Sequence, residues 1–207
     1  MRLNRYLLFL FAALFAACAL LGCDARTVQG EDEEPYDSPP FATLGFHETQ
    51  CPFEVLAGED ITCGYLTVPE NRADPAGGAP DSITIDLAVA IIRAGGTRPR
   101  QDPILYLEGG PGGSALLDPD YWLESPLHTA RDIILLDQRG TGFSVPSLDC
   151  PETDAYYAGE DTPYDSVLEA ARACRDRLRL DGVDLAQYNS ANSAADVADL
   201  RAALGID

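Results

Sequence analysis

Ile104-Leu105-Tyr106-Leu107-Glu108-Gly109-Gly110-Pro111-Gly112-Gly113-Ser114 joins an apolar run directly to a glycine-rich turn. The run does not alternate polar and apolar residues, which predicts a short strand buried on both faces. Gly109-Gly110-Pro111-Gly112 then forces a tight, irregular backbone. Without Cβ atoms in the way, such a turn can aim backbone N–H groups at a ligand. Donors held at the carboxyl end of a strand suit a developing oxyanion. A plain tight turn after a core strand is the competing reading. A second block, Asp132-Ile133-Ile134-Leu135-Leu136-Asp137-Gln138-Arg139-Gly140-Thr141-Gly142-Phe143-Ser144, repeats the pattern of apolar run and glycine turn.

The two blocks together resemble the α/β-hydrolase fold in its proline iminopeptidase and tripeptidyl-aminopeptidase branch. That branch carries a GGPG turn after its third strand and a DQRG-x-G-x-S turn after its fourth. Cys63-Gly64-Tyr65-Leu66-Thr67-Val68-Pro69-Glu70-Asn71 resembles its first strand, and Tyr188 to Arg201 resembles the helix that leads to its nucleophile. The resemblance covers residues 50 to 207. It implies an α/β class with a hydrolase sheet that stops before the nucleophile-elbow strand. It also implies that the backbone N–H of Gly110, beside Gly109, supplies one half of an oxyanion hole.

The net charge is −20 over 207 residues, and every basic residue is arginine. Such a surface argues against nucleic acid or an anionic bilayer as a direct electrostatic partner. Arg2 and Arg5 precede an apolar run from Tyr6 to Leu21, which predicts a secretory signal over 1–22 rather than a membrane span. Leu20-Leu21-Gly22-Cys23 resembles a bacterial lipobox, so lipid on Cys23 is the expected membrane attachment. An ordinary signal with an incidental cysteine is the alternative. Residues 23–42 are acidic and proline-bearing and are expected to form a flexible tether. Residues 43–207 are then the folded part, placed at the cell envelope or secreted.

Four cysteines remain in that part: Cys51, Cys63, Cys150 and Cys174. Outside the cytoplasm an even number suggests disulfides. Of three pairings, Cys51–Cys63 with Cys150–Cys174 is preferred because each closes a short local loop. No CxxC or His-x-x-x-His spacing suggests a metal, and no cofactor is expected.

The residues 61–68 and 82–92 predict an antiparallel hairpin, with Ile83, Ile85, Leu87, Val89 and Ile91 on one face. Asp118-Pro119 predicts a short helix start. Ser166 with Glu169 predicts a capping box for a helix whose stripe is Val167, Ala171, Cys174 and Leu178. A last helix is expected from Ser193, with Asp196 in the capping position and Val197, Leu200 and Leu204 facing inward.

No G-x-S-x-G elbow occurs. Gly113-Ser114 and Phe143-Ser144 match only half of one, so Ser114 and Ser144 are read as structural. His47 and His128 both precede the place of the nucleophile and are read as packing or surface residues. A serine without an adjacent base is a poor nucleophile, so this chain alone is expected not to turn over a peptide or small acyl substrate. Esterase or epoxide hydrolase chemistry on the same fold, or a non-catalytic peptide-binding lipoprotein, are the alternatives. Glu108 stands where many iminopeptidases place histidine, and is read as hydrogen-bonding the turn's own amides or meeting a substrate amine. Without a neighbour, the ILYL strand is expected to form an open sheet edge and to make the chain poorly soluble.

Overall fold

The computed structural model describes residues 45–73 and 83–206. The expected signal over 1–22, lipid site at Cys23 and tether over 23–42 lie outside the described residues. The chain divides into two units, Met1–Glu34 and Pro35–Asp207, and every described residue belongs to the second.

Five strands form one mixed sheet: β1 Phe46–Thr49, β2 Ile61–Pro69, β3 Thr84–Ile92, β4 Ile104–Tyr106 and β5 Ile133–Leu136. Their order is β1-β2-β3-β5-β4. The expected hairpin is β2 against β3, antiparallel, with Leu66 opposite Leu87. β5 runs antiparallel to β3 and parallel to β4, with Leu105 opposite Ile134. A connection leaving β4 and returning to a parallel β5 needs a crossover. It holds α1, Pro119–Leu123, capped by the Asp118 side chain accepting from the Tyr121 N–H. The short β1 had no sequence signal strong enough to name it; His47 is exposed on it.

β3 explains the layering. Ile85, Leu87, Val89 and Ile91 lie in one core cluster with Leu66, Val68, Ile134 and Leu136. Ala88, Ala90 and Ile92 lie in a second cluster with Ile133, Leu135 and Leu116. Both faces of β5 and of β3 from Leu87 onward are therefore covered; β5 does not alternate, whereas β3 still alternates at its start, where Thr84 is exposed and Asp86 half-buried. Each fully buried Leu or Ile stabilises by about 2 kcal/mol relative to exposure. β4 departs from expectation: Ile104, Leu105 and Tyr106 are only half-buried, and Leu107 is exposed. The cause is position, because among the described strands β4 is the last of the sheet and has a neighbour on one side only. Ile83 is also exposed and lies outside β3.

The long connection after β5 holds two helices, α2 Pro151–Tyr157 and α3 Val167–Leu180. Ser166 caps α3 by accepting from the Glu169 N–H at 3.3 Å, and Glu169 accepts from the Asp165 N–H at 2.8 Å. The buried stripe of α3 is Ala170, Cys174 and Leu178 rather than Val167 and Ala171, which face solvent. α2, which the sequence did not announce, sets this rotation by packing on α3. The bond Cys150–Cys174 ties the two helices, and Cys51–Cys63 ties the lead-in to β2. The local pairing is the one present.

The last helix, α4, spans Ser190–Ala203 and begins three residues earlier than expected. Its cap is Asn189, whose side chain accepts from the Asn192 N–H at 3.0 Å. Leu200, Ala203 and Leu204 pack on the first core cluster.

Candidate active site

The turn after β4 is held from three directions. The Gly113 N–H donates to the Gly109 carbonyl at 3.0 Å. Gln138 of the second turn donates its side-chain N–H to the Glu108 carbonyl at 3.1 Å. The Glu108 carboxylate accepts from the Tyr106 hydroxyl at 2.6 Å and from the Gly109 N–H at 2.9 Å. These donors hold the Glu108 carboxyl below its usual value, the Tyr106 hydroxyl contributing most. Glutamate at this position thus folds back on its own turn.

Gly110 has φ +132°, which only glycine adopts without strain. A Cβ there would also approach the Gly113 nitrogen at 3.1 Å. The two proposed oxyanion donors differ. The Gly109 N–H is occupied by the Glu108 carboxylate, so Gly109 does not present a free donor. The Gly110 N–H meets no acceptor among the described residues.

Asp137 ties the two turns together. Its buried carboxylate accepts from the Ser114 hydroxyl at 2.9 Å and from the N–H groups of Ala115, Leu116 and Phe143 at 2.7, 3.3 and 2.8 Å. Burial pushes this carboxyl above its usual value, and the four donors oppose the shift. Gly142 is required here, since a Cβ would strike Asp137 Oδ2 and the Ser114 side chain. Ser144 accepts from the Ala88 N–H at 3.0 Å and donates to the Asp137 carbonyl at 2.8 Å. Both serines are committed to the turns.

Arg139 is buried beneath the second turn. Its Nε and Nη2 donate to the two carboxylate oxygens of Asp196 at 2.7 and 2.8 Å. Its Nη1 donates to the carbonyls of Glu70 and Gln187 at 2.8 and 3.0 Å. Arg72 pairs with Asp196 and, at 2.7 Å, with Asp199. Asp196 is therefore not a helix cap but the buried anion that ties α4 to the second turn. Only the folded chain brings residues 57 apart together. Glu70, also buried, accepts from the Tyr188 hydroxyl and the Asp184 N–H at 3.0 and 3.2 Å. Burial, and then Glu70, pushes the Tyr188 hydroxyl upward.

A groove of about 510 Å³ opens above these braces. It is lined by Glu108 to Gly112 of the first turn, by Gln138, Arg139 and Thr141 of the second, and by Tyr188, Asn189, Ser190 and Ser193 around the start of α4. Gly110, with its N–H free of other described groups, borders it. The arrangement offers a fixed backbone donor at the end of a parallel strand. His128 is not placed as a base for either serine: it hydrogen-bonds the carbonyls of Leu123 and Arg93 at 3.1 and 2.7 Å. Cys150, Glu152 and Cys174 lie together, but the sulfurs are bonded to each other and Glu152 holds Arg177 at 2.7 Å. Those donors are committed and do not form a metal site.

The chain is similar to proteins named tripeptidyl aminopeptidase. Those of Streptomyces lividans and of Streptomyces coelicolor (strain ATCC BAA-471 / A3(2) / M145) are each 33% identical over 184 residues, covering 79% of this chain and 32% of theirs. YuaR of Escherichia coli (strain K12), named only as a hydrolase, is 25% identical over 150 residues, covering 70% of this chain and 29% of its own. The chain thus spans about a third of the length of the relatives it matches. No family model matches it. No described helix is long and apolar enough to cross a membrane. The two disulfides suit an oxidising compartment outside the cytoplasm.

Proposed function

We propose that this chain is the amino-terminal part of a lipid-anchored serine hydrolase of the α/β-hydrolase fold, one that removes amino-terminal residues from peptides. The observation that carries the reading is the Gly110 N–H, unclaimed by described groups, at the border of the groove beyond β4. The similarity to tripeptidyl aminopeptidases supports peptide as the substrate class. In this reading the nucleophilic serine, its histidine base and the acid that orients the histidine all belong to residues beyond Asp207. The serine attacks the scissile carbonyl, and Gly110 donates to the oxygen as it gains charge. A second donor follows the nucleophile. Losing one such donor costs roughly 3 kcal/mol of transition-state stabilisation. Asp137 and Arg139 hold the turn at its place and take no part in the chemistry. Lipid on Cys23 tethers the domain outside the cytoplasm.

The test is the product of the whole reading frame. A G-x-S-x-G within about 15 codons after Asp207 is expected, together with release of a chromogenic amine from tripeptidyl substrates. The 207-residue chain alone is expected to release none. An enzyme that cleaves acyl esters but no tripeptidyl amide overturns the peptidase assignment. G-x-D-x-G at the elbow points to an epoxide hydrolase instead. A stop codon directly after Asp207 overturns the enzyme reading in favour of a binding lipoprotein. Radiolabelled palmitate should enter the protein and be lost in Cys23→Ser; labelling unchanged by that substitution defeats the anchor.

A further inference from the structure

Cys150, Glu152 and Cys174 converge where α2 meets α3. A Glu152 carboxylate oxygen and the two sulfurs lie within 4.8 Å of one another. Cys150 immediately precedes α2, Glu152 is its second residue, and Cys174 belongs to the buried stripe of α3. Cys174 is buried, whereas Cys150 and Glu152 are half-buried, so solvent reaches the group. In the oxidised chain the two sulfurs are spent on each other. Reduction returns two soft donors beside a carboxylate, on Cα atoms that stand 5.4 Å apart.

The donor set selects the guest. Two thiolates and one carboxylate suit a tetrahedral Zn2+ site with one position left to water. Hard cations such as Ca2+ or Mg2+ ask for about six oxygens instead. A sulfur stands about 2.3 Å from Zn2+, so two donors of one ion are at most about 4.6 Å apart. The freed sulfurs need only turn away from each other to flank the ion. Arg177 completes the surroundings. Its Nε donates to Glu152 at 2.7 Å, and its Nη2 donates to the Asp149 carbonyl at 2.8 Å and lies 3.9 Å from Cys174 Sγ. An outer partner of this kind orients ligands. Each carboxylate oxygen has a second lone pair, so the ion pair leaves Glu152 able to ligate. Three anionic ligands around a divalent ion leave one negative charge, which the guanidinium balances. Cys51 and Cys63 have no third ligating residue beside them among the described residues.

We infer that the reduced chain binds one Zn2+ through the sulfurs of Cys150 and Cys174 and a Glu152 carboxylate oxygen, so that disulfide and metal are alternative ties between α2 and α3. A dithiol opens the disulfide in two exchange steps: its own sulfurs end joined, and Cys150 and Cys174 end as thiols. Zn2+ then takes both as thiolates, and their two protons pass to water. The excursion between β5 and α4 is thereby held in reducing as well as oxidising surroundings.

The 207-residue chain carrying Cys18→Ser and Cys23→Ser is reduced with a water-soluble phosphine, which takes up an oxygen from water and leaves as its oxide. A dithiol is avoided because its thiolates would compete for the ion. Zn2+ is titrated against a chromophoric chelator, and Co2+ is added to a second sample for its thiolate charge-transfer band. One equivalent should bind, and the band should appear. Glu152→Gln and Arg177→Gln should each weaken Zn2+ about tenfold or more; Cys150→Ser and Cys174→Ser should weaken it further, and Cys51→Ser should leave it unchanged. Zn2+ should also raise the urea midpoint of the reduced parent and not that of reduced Cys150→Ser, which decides the matter should Glu152→Gln fail to fold. The inference is overturned by a reduced chain that takes up no equivalent, by absence of the charge-transfer band, by equal binding to the oxidised chain, or by Cys150→Ser binding as the parent does. Unchanged affinity in Glu152→Gln removes the carboxylate and with it the three-ligand site.

Discussion

Arg139 and Asp196 form a two-toothed ion pair, 2.7 and 2.8 Å, with both side chains almost wholly buried. It joins the turn after β5 to α4, and so fixes two sides of the groove relative to each other. Removing one partner leaves the other charged and buried. Asp196→Ala should destabilise the chain by about 3–5 kcal/mol, read from urea or guanidinium midpoints. Arg139→Lys should lose most of the same amount, because an ammonium cannot reproduce the paired donors. If Arg139→Lys melts like the parent, the fork geometry is not what holds α4.

Asp137 is the second brace. Asp137→Ala leaves a hydroxyl and three N–H groups without their acceptor in the interior. A loss of about 3 kcal/mol is expected from the desolvated donors. Because Ser114 and Phe143 belong to different turns, hydrogen exchange should speed up in both at once. Faster exchange confined to the Phe143 turn would show that the glycine turns are held independently.

The disulfides close loops of 12 and 24 residues. Each should contribute about 3 kcal/mol through restriction of the unfolded chain. Cys51→Ala with Cys63→Ala, and Cys150→Ala with Cys174→Ala, should each lower the midpoint accordingly. Peptide mapping without reductant checks the pairing, and a Cys51–Cys174 cross-link would contradict it.

The pair Glu152–Arg177 gives a pH signature. Arg177 holds the Glu152 carboxyl below its usual value of 4.5. A carboxyl lowered on folding stabilises above its unfolded value, and that contribution is lost as pH falls through the folded one. The stability difference between the parent and Glu152→Gln should therefore be present at pH 7 and be lost on acidification below 4.5, as pH falls through the lowered folded value. The pair is close to solvent, so 1 M salt should shrink the difference. A difference that grows on acidification would contradict this assignment.

β4 has a single neighbour among the described strands, and Leu107 beside it is exposed. An open apolar edge invites pairing with another chain. The 207-residue chain should self-associate with rising concentration and bind a hydrophobic dye. A monomer that melts cooperatively and binds no dye would show that this edge is protected.

Much of this was legible in the chain itself. The unbroken apolar run of β5 reflects a strand covered on both faces, and the alternation over 82–92 marked the face of β3 that carries Ile85, Leu87, Val89 and Ile91, but not the burial of Ala88, Ala90 and Ile92 on the other. Turn chemistry at Asp118-Pro119 and Ser166 marked two helix starts, because capping is local and uses residues a few positions apart. The local spacing of cysteines favoured the pairing observed. The rotation of α3 was not legible, since it depends on α2, whose sequence carries little apolar signal. Nor was the burial of β4, because strand order, rather than composition, leaves Ile104, Leu105 and Tyr106 half-covered.

The sequence by itself determined the β2–β3 hairpin, β5, the starts of α1 and α3 and the two glycine turns, since periodicity, capping and positive φ act over a few residues. Only the tertiary structure decided which groups those turns meet. It gave the Gly109 N–H to Glu108, left that of Gly110 without an acceptor among the described residues, and made Asp196 the partner of Arg139 rather than a cap. The physical reason is that a buried charge or donor takes the nearest complementary group in space, and chain distance says nothing of that.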